Sequence, residues 1–419
     1  MAWFRIPLFL CLVLLPVTGA VADLRVFPSR HYRVNTDLEA GFAQDLARRL
    51  DGMYDEYSRR LMQFETDPNQ PRADVYLYTA RDRYLRFVGP GMRSSGGVFM
   101  SSRNALATFS DGQGRDNLRR TLQHEAFHQF AANTIHYPLP MWLNEGIAQY
   151  FEEGLWTGDG FVLGQIPPRR VRQLQADIHA GRLLDTEKLL SMSPDQWAKA
   201  LTSRSATRGA TQYNQAWAVV HFLLNSTYPT DGGKTEPMRP RFIRLLRLIH
   251  EGTDPDQAFV LAFSGNYPGF QDRFLEWAAT LQPTVEATYI ERQEVLADML
   301  VAMHSYGRWF DDIETFRNSV ARAGLEIQYS KGQIKWSSGK DTSLYFSRID
   351  GDLFGPTELY VQPRRSAPLS DVVCRCLPKN LLRTRFYKVA DRIEHEVLIE
   401  STAPPARPMT GPMTAPVPR

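Results

Sequence analysis

The residues best suited to chemistry lie in one short stretch, TLQHEAFHQF, at residues 121–130. His124 and His128 are four positions apart, and Glu125 directly follows the first histidine. On an α-helix, positions four apart share a face, so both imidazoles can reach a single metal ion. Zinc accepts such nitrogens at about 2.0–2.1 Å. Glu125 lies about 100° round the helix from His124, where a carboxylate suits a general base acting on water.

A third ligand decides whether the histidine pair is a metal site, because catalytic zinc commonly has three protein ligands. A histidine six residues after His128 is excluded, since Thr134 stands there. A cysteine ligand upstream is also missing once the N-terminal segment is removed. The remaining option is a glutamate from the next helix, where MWLNEGIAQYFEE presents Glu145. The competing interpretation, an accidental pattern, predicts no stoichiometric zinc.

HEAFH followed by WLNEGIAQYF resembles the gluzincin metallopeptidases over residues 121–152. The second segment is especially similar to the helix that carries the glutamate ligand in thermolysin-type and aminopeptidase-type enzymes. The resemblance implies that His124, His128 and Glu145 bind Zn2+ and that Glu125 is the general base. It also implies an edge strand before the motif helix that pairs with an extended substrate, a place occupied here by GGVFMSSRNALATF.

Two departures from the family pattern refine this prediction. The aminopeptidase branch has a Gly-Ala-Met-Glu-Asn loop that holds the substrate amine, but residues 96–100 read GGVFM and contain no acid, which favours an endopeptidase. Thermolysin-like enzymes also have an aspartate four residues after the glutamate ligand, and it orients a zinc histidine. Gln149 stands at that position. Either Gln149 orients the histidine more weakly or another carboxylate does so, and Glu152 is the nearest candidate.

The resemblance also implies a tyrosine or histidine from the helical part that stabilises the oxyanion. Tyr213 is the candidate, and we expect it at the start of a helix that follows a flexible segment, SRSATRGATQ. Its alternative role is packing, with an exposed hydroxyl. His221 lies on the apolar run of the same helix, and we expect it to be a buried, hydrogen-bonded core residue.

The N-terminus, MAWFRIPLFLCLVLLPVTGAVAD, is typical of a secretory signal cleaved after Ala22. Its apolar run is interrupted by Pro16 and is shorter than the roughly 20 residues that a spanning helix needs. We therefore expect a secreted or periplasmic protein with no stable membrane span after cleavage. Two cysteines then remain, Cys374 and Cys376, and their spacing on a strand allows either a strained disulfide or two buried thiols.

The composition is that of a folded protein of two or three domains, with 419 residues, of which 43% are hydrophobic and 23% charged. A net charge of +3, with interspersed signs, argues against nucleic acid as the main partner. A peptide or protein substrate is the expected partner, and the sequence sets no oligomeric state.

Periodicity predicts an α+β fold with a small mixed sheet, a motif helix in a mainly helical lobe, and a β-rich C-terminal region. Asp37 is the expected cap of the first helix, and Pro138 and Pro140 are expected to end the motif helix. The predicted divisions are a signal peptide at 1–22, an α+β subdomain with the substrate edge strand at 23–114, the helical zinc-peptidase lobe at 115–283, an α/β C-terminal region at 284–401 and a Pro-rich disordered tail at 402–419.

Together these patterns predict a secreted or periplasmic zinc metallopeptidase that hydrolyses peptide bonds with zinc-activated water. The alternative is a catalytically idle zinc-binding domain that binds a partner in the cell envelope. Gln149 and the lack of a firmly placed oxyanion donor support the alternative. Glu125 opposes it, because an idle site needs no base.

Overall fold

The computed structural model describes residues 24–401, except for gaps at 63, 65–66, 68, 93–94, 203–205, 231–233, 330–333, 338–340, 350–351, 357, 361–366, 376–379 and 390. The predicted signal peptide, the Pro-rich tail and Cys376 lie outside the described residues. Among the helices of the described ranges, none is both long and apolar enough to cross a bilayer.

The chain begins with a five-stranded mixed sheet and two helices. In chain order these elements are β1 (Arg25–Pro28), β2 (Tyr32–Thr36), α1 (Ala40–Arg60), β3 (Ala73–Tyr78), α2 (Arg81–Val88), β4 (Gly97–Met100) and β5 (Ala105–Phe109). The strand order is β1-β2-β3-β5-β4. Strands β2, β3 and β5 are parallel, whereas the edge strands β1 and β4 are antiparallel to their neighbours. The expected small mixed sheet is therefore confirmed.

The first helix departs from the prediction at its start. Helix α1 begins after Glu39, so the expectation that Asp37 caps it is wrong. The Asp37 carboxylate instead accepts hydrogen bonds from the backbone and side chain of Thr79, at 2.7 and 2.9 Å, and pairs with Arg83. These contacts come from residues about forty positions later in the chain, which local capping rules do not address.

A mainly helical block follows the sheet. Its elements are α3 (Arg115–Thr134), α4 (Met141–Glu152), β6 (Leu155–Trp156), β7 (Phe161–Val162), α5 (Pro168–His179), α6 (Thr186–Leu190), α7 (Pro194–Thr202), α8 (Ala206–Asn225), β8 (Thr227–Pro229), β9 (Thr235–Pro237), α9 (Arg239–His250), α10 (Pro255–Phe263) and α11 (Tyr267–Thr280). The prolines separate α3 from α4 as predicted. The short helices α6 and α7 and the two hairpins were not predicted.

One large apolar core joins the sheet to this helical block. Tyr57 of α1, Phe127 of α3 and Phe151 of α4 meet in it, with ring centroids 4.6–5.7 Å apart. The opposite face of the sheet is covered by α2, where Tyr84 packs on Phe109. Helices α3 and α4 are thus fixed between the sheet and the remaining helices.

The C-terminal region is rich in β-structure, as predicted. It contains α12 (Val285–Ser305), α13 (Ile313–Ala323), β10 (Glu326–Tyr329), β11 (Ile334–Ser337), β12 (Phe346–Ile349), β13 (Asp352–Pro356), β14 (Glu358–Tyr360), β15 (Asp371–Cys374), β16 (Asn380–Val389) and β17 (Arg392–Ser401). Strands β14 to β17 form an antiparallel sheet that packs on α12. Cys374 ends β15 and is buried, and its predicted relation to Cys376 stays a prediction.

A buried ion cluster joins this C-terminal sheet to the first part of the chain. Glu396 of β17 is only 2% exposed. Its Oε1 lies 2.8 Å from Nη2 of Arg49 on α1 and also pairs with Arg119 on α3. Asp45 of α1 pairs with both arginines at 2.8 Å. These contacts cross the predicted division at residues 283 and 284, which itself stays a prediction.

Candidate metal centre

Helices α3 and α4 pack against each other and bring together the three predicted ligands. His124 Nε2 lies 3.2 Å from Glu145 Oε2, and His128 Nε2 lies 3.7 Å from Glu145 Oε1. One potential ligand atom from each of the three residues lies within 4.8 Å of the others. The geometry therefore matches a two-histidine, one-glutamate metal site.

The donor set fits a divalent cation on two further grounds. Glu145 is 8% exposed, and its Oε2 is buried without a well-aligned hydrogen bond to any described residue. Glu145 and Glu152 lie against the two imidazoles, and the imidazoles also act electrostatically on Glu125. Arg170, 3.8 Å from Glu152, offsets only part of this negative charge when the histidines are neutral. Two imidazole nitrogens and a carboxylate suit zinc, although iron, nickel and copper also accept imidazole.

The negative charge also alters the pKa values of the ligands. Burial opposes protonation of His124, but Glu145 and Glu152 outweigh it and raise the pKa of His124 well above its ordinary value. Burial alone would raise the pKa of Glu145, and the nearby His124 and His128 lower it overall. A cation at this point would replace the proton that His124 otherwise holds.

Each histidine has an acceptor on the ring nitrogen that faces away from Glu145. His124 Nδ1 lies 3.1 Å from Glu152 Oε2, and His128 Nδ1 lies 3.2 Å from Asn144 Oδ1. Such contacts fix the ring orientation and leave Nε2 free to bind a metal. Asn144 was missed by the sequence analysis, and its only signal is its place directly before Glu145.

Gln149 does not contact either histidine. Its amide nitrogen donates to the backbone carbonyls of Glu145, at 3.2 Å, and Tyr213, at 3.0 Å. Its oxygen accepts a hydrogen bond from Arg170 Nη1 at 2.7 Å. Of the two candidates that the sequence left open, Glu152 is the one in contact with a histidine, and Gln149 ties α4 to α5 and α8.

Glu153 anchors the end of α4 through three arginines. Its side chain is 1% exposed and lies 3.0 Å from Arg120, 2.6 Å from Arg169 and 2.5 Å from Arg170. Burial would raise the pKa of Glu153, but these three positive charges hold it far below its usual range. The neighbouring residue, Glu152, is thereby held in reach of His124.

Glu125 lies where α3 runs beside edge strand β4. Burial raises the pKa of Glu125, partly offset by the two histidines and by a hydrogen bond from the Phe99 backbone amide. The strand and the helix approach closely at Gly97, where a Cβ would lie 2.5 Å from Thr121 Cγ2 and 3.3 Å from Glu125 Cγ. The strand expected to bind substrate is therefore an edge strand next to the expected base.

Tyr213 lies in the interior of α8, not at the start of a helix as predicted. The helix begins at Ala206, so the expected flexible segment is helical from that residue onward. Tyr213 is half-buried, and burial together with the charges of Glu145 and Glu125 raises its pKa. The phenol therefore stays protonated and remains a hydrogen-bond donor, and its ring packs edge-on against Trp197.

His221, two turns later, is fully buried against Tyr150 and Trp217, and its Nδ1 lies 3.4 Å from Asn225 Nδ2. It is the core histidine that we expected.

Residues 119–229 match a family model described as a protein of unknown function, DUF1570. The matched segment runs from the first turns of α3 into β8 and contains the three potential ligands, Glu125 and Tyr213. No curated protein matches the chain.

Proposed function

We propose that this protein is a secreted or periplasmic zinc-dependent metallopeptidase of the gluzincin type, acting on peptides or proteins as an endopeptidase. The observation that carries the proposal is the convergence of His124, His128 and Glu145, with Glu125 directly beside them. When bound there, zinc would supply Lewis acidity that polarises a carbonyl and acidifies water.

The chain's own residues then have separate roles. Glu125 takes a proton from the attacking water and passes it to the leaving amine. In the metal-free protein burial raises the pKa of Glu125, which strengthens this carboxylate as a base. The Tyr213 phenol, kept protonated, donates a hydrogen bond to the developing oxyanion.

Strand β4 is the proposed binding edge for substrate. It pairs with β5 on one side, and an extended peptide can add to its other side through backbone hydrogen bonds. Because these hydrogen bonds involve only backbone groups, they increase affinity without selecting particular substrate side chains. Residues 96–100 offer no carboxylate to hold a free amine, so the peptide can extend in both directions past Glu125.

The alternative is a catalytically idle metal-binding domain that serves as a module in the cell envelope. One of its supports was the missing carboxylate at Gln149, and the contact between Glu152 and His124 weakens that support. The two functions can be distinguished by experiment. A peptidase should show turnover that depends on Glu125, and an idle domain should show none.

The test uses a diverse peptide library incubated with the zinc-loaded protein, with cleavage read by mass spectrometry. Glu125→Gln is the blank, because it should retain zinc and lose turnover. Internal cuts missing from the blank support an endopeptidase, whereas stepwise loss of N-terminal residues supports an aminopeptidase. If both proteins leave the library intact, the idle domain becomes the better explanation.

Two further variants check the assignment. Glu145→Ala should lose bound zinc by elemental analysis, because it removes a ligand, while the exposed Glu251→Ala serves as the matched control. Export is tested separately by N-terminal sequencing, which should start at Asp23.

A further inference from the structure

A second cavity, separate from the metal centre, lies behind α4. It has a volume of about 120 Å³ and is formed by the end of α1, the back of α4, α8 and α9. Buried apolar side chains form most of its wall, among them Ile147, Phe151, Val220, Phe242 and Leu246. An apolar cavity of roughly 150 Å³ holds benzene, so this one accommodates a hydrocarbon group of about four or five carbon atoms.

The mouth of this cavity is cationic. The two charged residues that line the cavity are Arg60 and Arg239, and no carboxylate lines it. Arg60 is half-buried and Arg239 is exposed, so we take these two side chains as the solvent-facing mouth. Arg60 shares the buried Glu56 with Arg59, whose contact is the shorter, at 2.6 Å against 3.4 Å. Arg239 is exposed and has no ion pair within the part of the chain that the structure describes. Positive charge at the mouth is therefore only partly neutralised.

Two more features favour an anion at the same place. Tyr150 lines the cavity together with both arginines. Burial and the charge of Glu56 raise the pKa of Tyr150, and the charges of Arg60 and Arg239 oppose that rise. Helix α9 begins at Arg239 and has no side-chain cap, which leaves the positive end of its dipole at the mouth.

The larger cavity between α1 and β17, of about 460 Å³, has no such excess of unneutralised positive charge among its central residues. Its central arginines, Arg49 and Arg119, are already paired with Asp45 and Glu396. An incoming anion would have to displace carboxylates there. At the smaller cavity it could pair with Arg60 and Arg239 without displacing a carboxylate that lines the cavity.

We propose that the cavity behind α4 binds a small carboxylic acid. Its short hydrocarbon chain lies among the apolar side chains, and its carboxylate lies between Arg60, Arg239 and the Tyr150 hydroxyl. The ligand needs both parts. Burial of its hydrocarbon chain in the cavity and pairing of its carboxylate with the arginines at the mouth each contribute to binding.

The test is a ligand-observed NMR titration of the full-length protein after signal removal, stripped of metal because carboxylates also bind zinc. The probes are acetate, propanoate, butanoate, pentanoate and octanoate, with 1-pentanol and pentylamine as uncharged and cationic analogues. Affinity should rise about fourfold per added methylene as far as pentanoate, and octanoate should gain nothing more. Both analogues should bind at least tenfold more weakly than pentanoate.

Two variants localise the site. Arg239→Gln should weaken pentanoate binding at least tenfold, while Arg244→Gln, an exposed arginine of the same helix that does not line the cavity, should stay within twofold. Ile243→Trp, which places a large ring at the lining, should also abolish binding while circular dichroism stays unchanged. Equal binding of pentanoate and pentanol, or unchanged binding by Arg239→Gln, would overturn the proposal.

Discussion

At the candidate metal centre both ring nitrogens of each histidine have a polar neighbour. One faces Glu145, and the other lies against an acceptor, Glu152 for His124 and Asn144 for His128. The two acceptors differ in charge, so the imidazoles are not equivalent. A carboxylate raises the basicity of its histidine more than an amide does, which makes His124 the stronger of the two expected ligands.

Removing the charge at position 152 should weaken metal binding without removing a ligand. We expect Glu152→Gln to lower zinc affinity about 10- to 100-fold, the usual effect of losing such a partner. Competition with a chromophoric chelator measures the change, and Glu251→Gln is the exposed control. An affinity equal to that of the parent protein would mean that Glu152 does not orient His124.

Because His221 is buried, we predict that the stability of the folded protein decreases in acid. Burial lowers its pKa to about 3, so between pH 3 and about 6.5 the unfolded chain binds a proton there that the folded chain does not. The free energy of unfolding should therefore fall as the pH falls, by about 1.4 kcal/mol per pH unit below 6.5. Urea titrations at pH 7.5 and 5 should show a loss about 2 kcal/mol smaller in His221→Gln than in the parent. Identical losses would show that His221 does not titrate as inferred.

At the level of elements, the crossing of α4 and α8 sets the position of Glu145. Gly146 lies at the contact, where a Cβ would approach the Ala216 carbonyl oxygen to 2.6 Å and Val220 Cγ2 to 2.7 Å. The backbone of α8 cannot yield as a flexible side chain would. Even a methyl group at position 146 therefore has to separate the two helices.

Gly146→Ala should destabilise the protein despite the better helix propensity of alanine. Overpacking costs about 1–3 kcal/mol, and the propensity gain offsets about 1 kcal/mol of it. Gly41→Ala is the matched control, because Gly41 is in α1 with open space around its Cβ position. Thermal denaturation should give a lower midpoint for Gly146→Ala and an unchanged or slightly higher one for Gly41→Ala. The reverse order would contradict the crossing.

The sequence predicted best those helices in which apolar residues recur at helical spacing and a helix-breaking residue marks the end. Helices α3 and α4, which are separated by two prolines, are examples. The spacing of His124 and His128 is a property of one helix, so it could be predicted locally. The choice between Gln149 and Glu152 depends on how α4 rotates against α3, which no local pattern sets. The predicted helix start at Tyr213 is wrong because the polar residues before it resemble a loop, whereas residues 206–212 belong to α8.

At the scale of the whole molecule, buried ion pairs join the C-terminal sheet to α3, the helix of His124 and His128. Arg119, five residues before His124, and Arg49 share Glu396 of β17. Arg120 contacts Glu153 at 3.0 Å and Glu294 of α12 at 3.9 Å. The first turns of α3, the helix that carries His124 and His128, are therefore held from the C-terminal side by a region that contributes none of the predicted ligands.

Glu396→Gln should destabilise the protein strongly, because it leaves two buried arginines with Asp45 as their main partner. Breaking such a buried pair costs about 3–5 kcal/mol. Glu400→Gln on the same strand, where the carboxylate is 31% exposed, should cost less than about 1 kcal/mol. Chemical denaturation compares the two variants. Equal midpoints would argue against the buried ion cluster as the main stabilising contact between the C-terminal sheet and α1 and α3.

The separation of Arg49 and Glu396 along the chain, 347 residues, has a consequence for biosynthesis. At 5–20 residues per second, the carboxylate leaves the ribosome roughly 20–70 s after the guanidinium that it pairs with. During that interval α3 can form, but its first turns lack their buried counter-charge. A nascent or prematurely terminated chain therefore contains His124, His128 and Glu145 without the buried carboxylate that pairs with Arg49 and Arg119 in the finished protein.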